Sequence, residues 1–204
     1  MKKEFISPEM LRDSALKLVH RMHKADGFVP DIIYVSLRGG AYMGNVFSEY
    51  YKLIRKQAGE RPVFYAAVVA RSYENMKLES EVRIDGWTYS PEHLRTGDKI
   101  LIVDDIFDTG KTVNALVGVI LAKGIPRSDI KIAVFDYKIP NYKDIPRLPI
   151  QPDYYCRKHV LNSPQDETWI HYMNHEFIGL TSDEIDHEYT DTEVRDILHE
   201  VRCD

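Results

Sequence analysis

The sequence predicts an α/β fold, a central parallel sheet flanked by helices. Three observations carry that prediction. Short apolar runs, among them Ile32-Ile33-Tyr34-Val35 and Ile100-Leu101-Ile102-Val103, read as strands buried on both faces, as parallel strands are. The segments between them place apolar residues at helical intervals. Strand and helix alternate along the chain, which requires right-handed crossovers.

Taken in order, Ser7-Pro8 starts a helix, a hydroxyl cap followed by proline where its missing N–H costs nothing. Met10, Leu11, Ala15, Leu18, Val19 and Met22 follow at helical spacing, and Gly27 ends the element. Asp31 to Ser36 is the first buried strand and Arg38-Gly39-Gly40 the turn after it. Ala41 to about Arg55 predicts a helix with Met43, Val46, Phe47, Tyr50 and Leu53 as its apolar stripe. Arg61 to Ala70 reads as a second buried strand. Residues 71–92 are polar and lack a sustained helical period; Val82, Ile84 and Trp87 suggest a short hairpin, and the composition fits a flexible flap. Ile100 to Val103 is the third strand, Thr109 to Lys123 a helix closed by Gly124, and Lys131 to Phe135 the fourth strand. Three prolines between Asn141 and Pro152 exclude regular structure there. Tyr154 to Arg157 reads as a last strand, and Thr190 to Val201 as a capped terminal helix. This amounts to a single domain with a core over about 30–138, a small subdomain over about 139–180 and a C-terminal helical tail over about 181–204.

The bulk numbers exclude several classes. A net charge of −5 over 204 residues offers no basic excess for general nucleic-acid binding. Two distant cysteines, Cys156 and Cys203, form neither a disulfide framework nor a zinc spacing, which points to a reducing compartment. No signal peptide is legible, and no apolar run approaches the roughly 20 residues of a membrane span. The expectation is a cytoplasmic protein with no membrane partner.

The richest segment is Val103-Asp104-Asp105-Ile106-Phe107-Asp108-Thr109-Gly110-Lys111-Thr112. Open α/β sheets bind ligands at the carboxyl ends of their strands, where Asp104 and Asp105 sit. Alternation along a strand sends adjacent side chains to different faces, so one acid can face a ligand while the other makes structural contacts. Standing alone, the pair fits a solvated strand end with helix-capping acids equally well. The turn that follows shifts the balance. Gly110 lets backbone approach a ligand, and the next helix offers unpaired N–H groups and a positive dipole end. Thr109 and Thr112 add hydroxyls, so a phosphate is the natural guest. A triphosphate P-loop would need glycine where Asp105 stands. A ligand with both a sugar diol and a phosphate would engage both halves; 5-phosphoribosyl-1-pyrophosphate (PRPP) is one.

Val103 to Thr112 resembles the PRPP-binding motif of type I phosphoribosyltransferases, and the order of elements over roughly residues 30 to 175 fits that family. The resemblance implies that Asp104 and Asp105 serve the ribose hydroxyls, directly or through magnesium (Mg2+), and that Asp108, Thr109, Gly110, Lys111 and Thr112 hold the 5-phosphate. Hypoxanthine, guanine and xanthine phosphoribosyltransferases carry an acid at the place of Asp108, facing the purine N7; Asp108 is the catalytic candidate, though capping the next helix is a bland alternative. Leu37-Arg38-Gly39-Gly40 resembles the family's pyrophosphate loop, often marked by a non-proline cis peptide, and its two glycines allow an unusual backbone. Ser72-Tyr73 resembles the opening of the flexible catalytic loop that closes over PRPP and excludes water. Lys138, just past the fourth strand, resembles the lysine that contacts O6 of a 6-oxopurine. Pro164 to Ile170 resembles the hood of bacterial xanthine–guanine enzymes, where Trp169 stacks on the base and the backbone near Ile170 meets its edge. His171 and His175 read as hood surface rather than a metal site.

The function implied is purine salvage: transfer of the 5-phosphoribosyl group from PRPP to hypoxanthine or guanine, with xanthine a further candidate, by a magnesium-dependent enzyme expected to be a homodimer. The alternatives are a PRPP-binding regulator and a phosphoribosyltransferase for another base.

Overall fold

The computed structural model describes residues 2–72, 82–143 and 147–202, with main chain only at Arg71 and Ser72. In chain order the elements are β1 (Lys2–Ile6), α1 (Pro8–Asp26), β2 (Ile32–Leu37), α2 (Gly40–Ala58), β3 (Phe64–Ser72), β4 (Val82–Trp87), β5 (Ile100–Phe107), α3 (Lys111–Leu121), β6 (Ile130–Pro140), β7 (Tyr154–Leu161), β8 (Thr168–Tyr172), α4 (Ser182–Glu188) and α5 (Thr192–Val201). They form two compact units. The larger runs from Leu11 to Asp166; the smaller joins the residues up to Met10 with those from Glu167 onward.

The larger unit is built on one six-stranded sheet, in the order β4-β3-β2-β5-β6-β7. Every pairing is parallel except β3 with β4. The two faces are covered by different helices. Ile32 and Tyr34 of β2, Ile100 and Ile102 of β5, and Ile130, Ile132 and Val134 of β6 pack with Val113, Leu116, Val117 and Ile120 of α3. The alternate residues Ile33, Val35, Leu101 and Val103 are also buried. They serve the opposite face, where α2 packs on β2 and β5. A Cβ on Gly44 of α2 would lie 2.1 Å from Val35 Cγ1, so glycine permits that approach. Each such aliphatic side chain contributes about 1.5–3 kcal/mol when fully buried.

The helices obey their local signals. Ser7 Oγ accepts a hydrogen bond from the Met10 amide at 3.1 Å, and Gly27, at φ 59°, ends the element after α1. The buried stripe of α2 is Met43, Gly44, Phe47, Tyr51 and Arg55, while Leu53 is exposed. The stripe runs through Gly44 rather than Val46, because the sheet approaches the helix most closely at Gly44, where no side chain stands in the way.

Four strands differ from expectation. β3 starts at Phe64, after Pro62, and is only partly buried, since Phe64 and Tyr65 are exposed. β5 continues to Phe107 and β6 to Pro140, paired to each other through Phe107 and Tyr137. Asp104 and Asp105 therefore lie within a strand, and Lys138 lies inside the fourth buried strand rather than past it. β7 runs on to Leu161 along β6. The hairpin expected near Val82 to Trp87 is β4 against β3. Among the described residues of 141–152 no helix or strand forms.

The smaller unit was the less legible. β1 pairs in parallel with β8, from Lys2 opposite Thr168 to Ile6 opposite Tyr172. The C-terminal tail, expected to carry one helix from Thr190, also carries α4, whose Thr181 and Glu184 form a reciprocal capping box. The division of the chain consequently falls at Asp166 rather than near 139, because β7 completes the large sheet. His171 lies on a strand, fully buried against the Phe5 ring at 4.9 Å, so the surface reading of this residue is corrected. Burial pushes its imidazole below the usual histidine range, against the opposing charge of Glu176.

Candidate active site

The chain leaves β2 for β3 on one side, then returns to β5 on the other side of β2. The segments after β2 and β5 diverge at such a reversal and leave a crevice at the strands' carboxyl ends. Both motifs read from the sequence fall there.

After β2, the Leu37–Arg38 peptide is cis, as the resemblance implies. The glycines that follow serve closeness rather than an unusual backbone, since Gly39 has an ordinary helical φ of −58°. A Cβ on Gly39 would sit 2.0 Å from an Asp105 carboxylate oxygen, and one on Gly40 would sit 2.3 Å from the Val103 carbonyl oxygen. The loop thus rests directly on the acidic end of β5. Arg38 is exposed.

On β5, Asp104 is 9% exposed. Its Oδ1 accepts from the Asp105 amide at 3.1 Å, and Asp105 Oδ1 accepts from the Ile106 amide at 2.8 Å. Register places Val35 beside Val103, so Ser36 reaches Asp104 and hydrogen-bonds it. Burial, then the charge of Asp105, pushes the Asp104 carboxyl well above the usual carboxylate range, and a hydrogen bond between the two side chains adds to this; the Asp105 amide and Ser36 pull the other way. The two side chains are thus tied to each other and to the strand backbone, with Asp104 the more buried of the pair. Among the described residues no group of three or more His, Cys, Asp or Glu side chains could hold a metal. A hard cation that keeps waters and takes its other ligands from phosphates suits two carboxylates, so the pair fits magnesium.

The strand then turns. Gly110 has φ 75°, and a Cβ there would lie 2.2 Å from the Phe107 ring, so glycine is needed for both conformation and space. The first-turn N–H groups of α3 lack partners within the helix. Residues Asp104 to Val113 line a cleft of about 220 Å³.

A second cleft, about 230 Å³, opens beside it, lined by Phe107, Asp108 and Thr109 and by residues from Tyr137 to Gln151. The Phe107 and Tyr137 rings meet edge to face at 5.5 Å, and Tyr137 donates from its hydroxyl to Gln151 Oε1 at 2.5 Å. Lys138 lines this cleft and is 8% exposed. Asp108 and Thr109 border both clefts. Asn114, which sequence reasoning missed, ties them together. Its Nδ2 donates to the carbonyl oxygens of Gly110 and Ile150, both at 2.9 Å, and its Oδ1 accepts from the Ile150 amide at 3.1 Å. An asparagine on a helix face carries no local signal of such a role.

The structure therefore brings together Arg38, Gly39, Gly40, Asp104, Asp105, Asp108, Thr109, Gly110, Lys111, Thr112 and Lys138 within the larger unit. Ser72 ends β3, and Tyr73 lies outside the described residues. Trp169 and Ile170 belong to β8 of the smaller unit, where Trp169 is half exposed and the Ile170 side chain is buried.

Comparison with known proteins agrees with this arrangement. The phosphoribosyl transferase domain matches residues 14–160. The chain belongs to the phosphoribosyltransferase family. It is 26% identical over 171 residues to the bifunctional protein PyrR of Halalkalibacterium halodurans, covering 82% of this chain and 88% of that protein. It is 28% identical over 132 residues to a hypoxanthine/guanine phosphoribosyltransferase of Methanocella arvoryzae, covering 63% of this chain and 62% of that protein. A purine phosphoribosyltransferase from Pyrococcus horikoshii has the same fold, with a TM-score of 0.63 at 20% identity over 89% of this chain and 99% of that one. The type I fold expected from the motif is thereby established. No helix among the described residues is long and apolar enough to cross a membrane.

Proposed function

We propose that the protein transfers the 5-phosphoribosyl group of PRPP to a 6-oxopurine, hypoxanthine or guanine and with xanthine a further candidate, releasing pyrophosphate. One observation carries this reading: Asp108 and Thr109 border both clefts, so a sugar phosphate in one and a planar base in the other would meet at Asp108. The Gly39-Gly40 backbone takes the pyrophosphate, Asp104 and Asp105 the ribose hydroxyls, and Thr109 to Thr112 the 5-phosphate. Asp108 accepts a hydrogen bond or a proton from the purine N7 as the new bond forms. Lys138 donates to O6, a contact that the amino group of adenine would not return. Asp104 and Asp105 would hold magnesium, whose charge would offset that of the pyrophosphate. Much of the rate comes from positioning and charge stabilisation. Cytoplasmic location and a homodimeric assembly belong to the same proposal.

The test is a panel of hypoxanthine, guanine, xanthine, adenine, orotate and uracil with PRPP and magnesium, followed by pyrophosphate release. Release with 6-oxopurines alone is the expected result. Release with none of the bases while PRPP still binds would replace this reading with that of a PRPP-responsive regulator. Release with orotate or uracil alone would move the chain to another base.

A further inference from the structure

The smaller unit keeps unpaired polar groups in its interior. Neither ring nitrogen of His171 has a hydrogen-bond partner among the described residues, and the same holds for Asn174 Oδ1 and the Tyr189 hydroxyl, all buried. The three residues belong to this one unit. Each forfeits hydrogen bonds that water supplies in an open chain, which puts the unit at the low end of local stability.

His171 is the most exposed to a change of charge. It is fully buried, and its register partner on β1 is Phe5, whose ring it meets at 4.9 Å. The charged and titratable groups that face it come from three elements. Glu176, just after β8, has a carboxylate oxygen 3.6 Å from Nδ1, and its other oxygen is 4.0 Å from His175 Nε2. Lys3 of β1 and Glu184 of α4 act on His171 with opposite signs and are paired with each other at 2.6 Å, so their effects offset. Glu176, through its charge and its backbone, favours a charged imidazole, but burial outweighs it.

We propose that His171 is a pH-sensitive latch on the β1–β8 ribbon, which stays closed while the imidazole is neutral and opens when it is protonated. A proton adds a charge to a group that already lacks hydrogen bonds, and returning the side chain to water parts β8 from β1, because His171 and Phe5 are register partners. The open ribbon takes up the proton more readily than the closed one. Closure is therefore complete above the ordinary histidine value of about 6.5 and weakens as pH falls from there towards the lower closed-state value. The latch acts within the smaller unit and stands whether or not the proposed transferase activity does.

The test is hydrogen–deuterium exchange of the full chain between pH 7.5 and pH 5.5, with the rates of the β1 and β8 amides divided by their intrinsic rates at each pH. Protection of the ribbon is expected to fall by up to about tenfold per pH unit below 6.5. In His171→Phe, which keeps a ring beside Phe5 that cannot ionise, the fall should vanish. In Glu176→Gln it should deepen, because the charge that favours the imidazolium in the closed ribbon is gone. Protection that stays constant over this range in the unaltered protein would overturn the latch. So would an equal fall in His171→Phe, or a fall no deeper in Glu176→Gln, and the second variant decides if the first does not fold.

Discussion

The two clefts that meet at Asp108 are built in opposite ways. The phosphate-side cleft comes from one continuous segment, Asp104 to Val113, where a strand end, a glycine turn and a helix start follow one another. The base-side cleft is assembled from the end of β5, the end of β6 and the irregular residues up to Gln151. On the proposed reading the first, made of one rigid segment, takes what every substrate of the reaction shares, ribose and phosphate, and the second, made partly of a loop between strands, sets which base is accepted.

That contrast can be broken from either side. The largest effect is expected at Gly40, because a Cβ there meets backbone, the Val103 carbonyl oxygen. Gly40→Ala should cost about 1–3 kcal/mol of stability and should abolish PRPP binding whatever the base, as read by titration calorimetry on the folded fraction. Retained PRPP affinity would show that the loop is not part of the phosphate side.

The next largest effect falls on the joint between the clefts. Asn114→Ala removes three hydrogen bonds that tie Gly110 to Ile150. Misplacing reacting groups by about 1 Å costs roughly a hundredfold, so kcat/KM should fall about 10- to 100-fold with hypoxanthine while the melting temperature drops only by the several degrees that three lost hydrogen bonds imply. A fall confined to stability, with kcat/KM of the folded protein unchanged, would make Asn114 purely structural.

The smallest effect lies at the opposite end of the sheet. Asp31 Oδ1 accepts from Arg55 at 2.9 Å, and its Oδ2 accepts from the Lys99 amide at 2.9 Å. Burial alone would raise its carboxyl, but the Lys99 amide and the Arg55 and Arg61 guanidinium groups hold it below the usual carboxylate range. The stabilisation this carboxylate provides is therefore complete above the unfolded-state value of about 3.9 and is lost as pH falls through the lower folded-state value. Asp31→Asn should cost about 2 kcal/mol at pH 7, with the gap to the unaltered protein closing below pH 4. Activity of the folded protein should not change. An equal gap at pH 7 and pH 3 in denaturant melts would contradict the assignment.

Legibility in the sequence followed the same division. The phosphate side was readable because its chemistry is contiguous: acids, glycine and helix start stand in one run of residues. The alternation of β2, α2 and β5, α3 was readable because fully apolar runs have one structural use. What escaped notice depends on pairs far apart in sequence. The fit of Gly39 against Asp105 requires β2 and β5 to be neighbours. β1, with charges at Lys2, Lys3 and Glu4, becomes a strand only because β8 from the other end of the chain pairs with it. The polarity of Asp136 and Lys138 marks an early end to the fourth strand, yet both residues are buried within it. The capping box of Thr181 and Glu184 was present in the sequence and was outweighed by the acidic character of its surroundings.

The central claim is that Asp108 serves the base after PRPP has been bound by its neighbours. Asp108→Asn, measured for both PRPP affinity and kcat with hypoxanthine, tests it most directly. The account predicts PRPP affinity within a few fold of the unaltered protein and a kcat lower by about 10²- to 10⁴-fold, the usual contribution of a general acid–base group. An unchanged kcat, or a loss of PRPP binding equal to the loss of turnover, would contradict it.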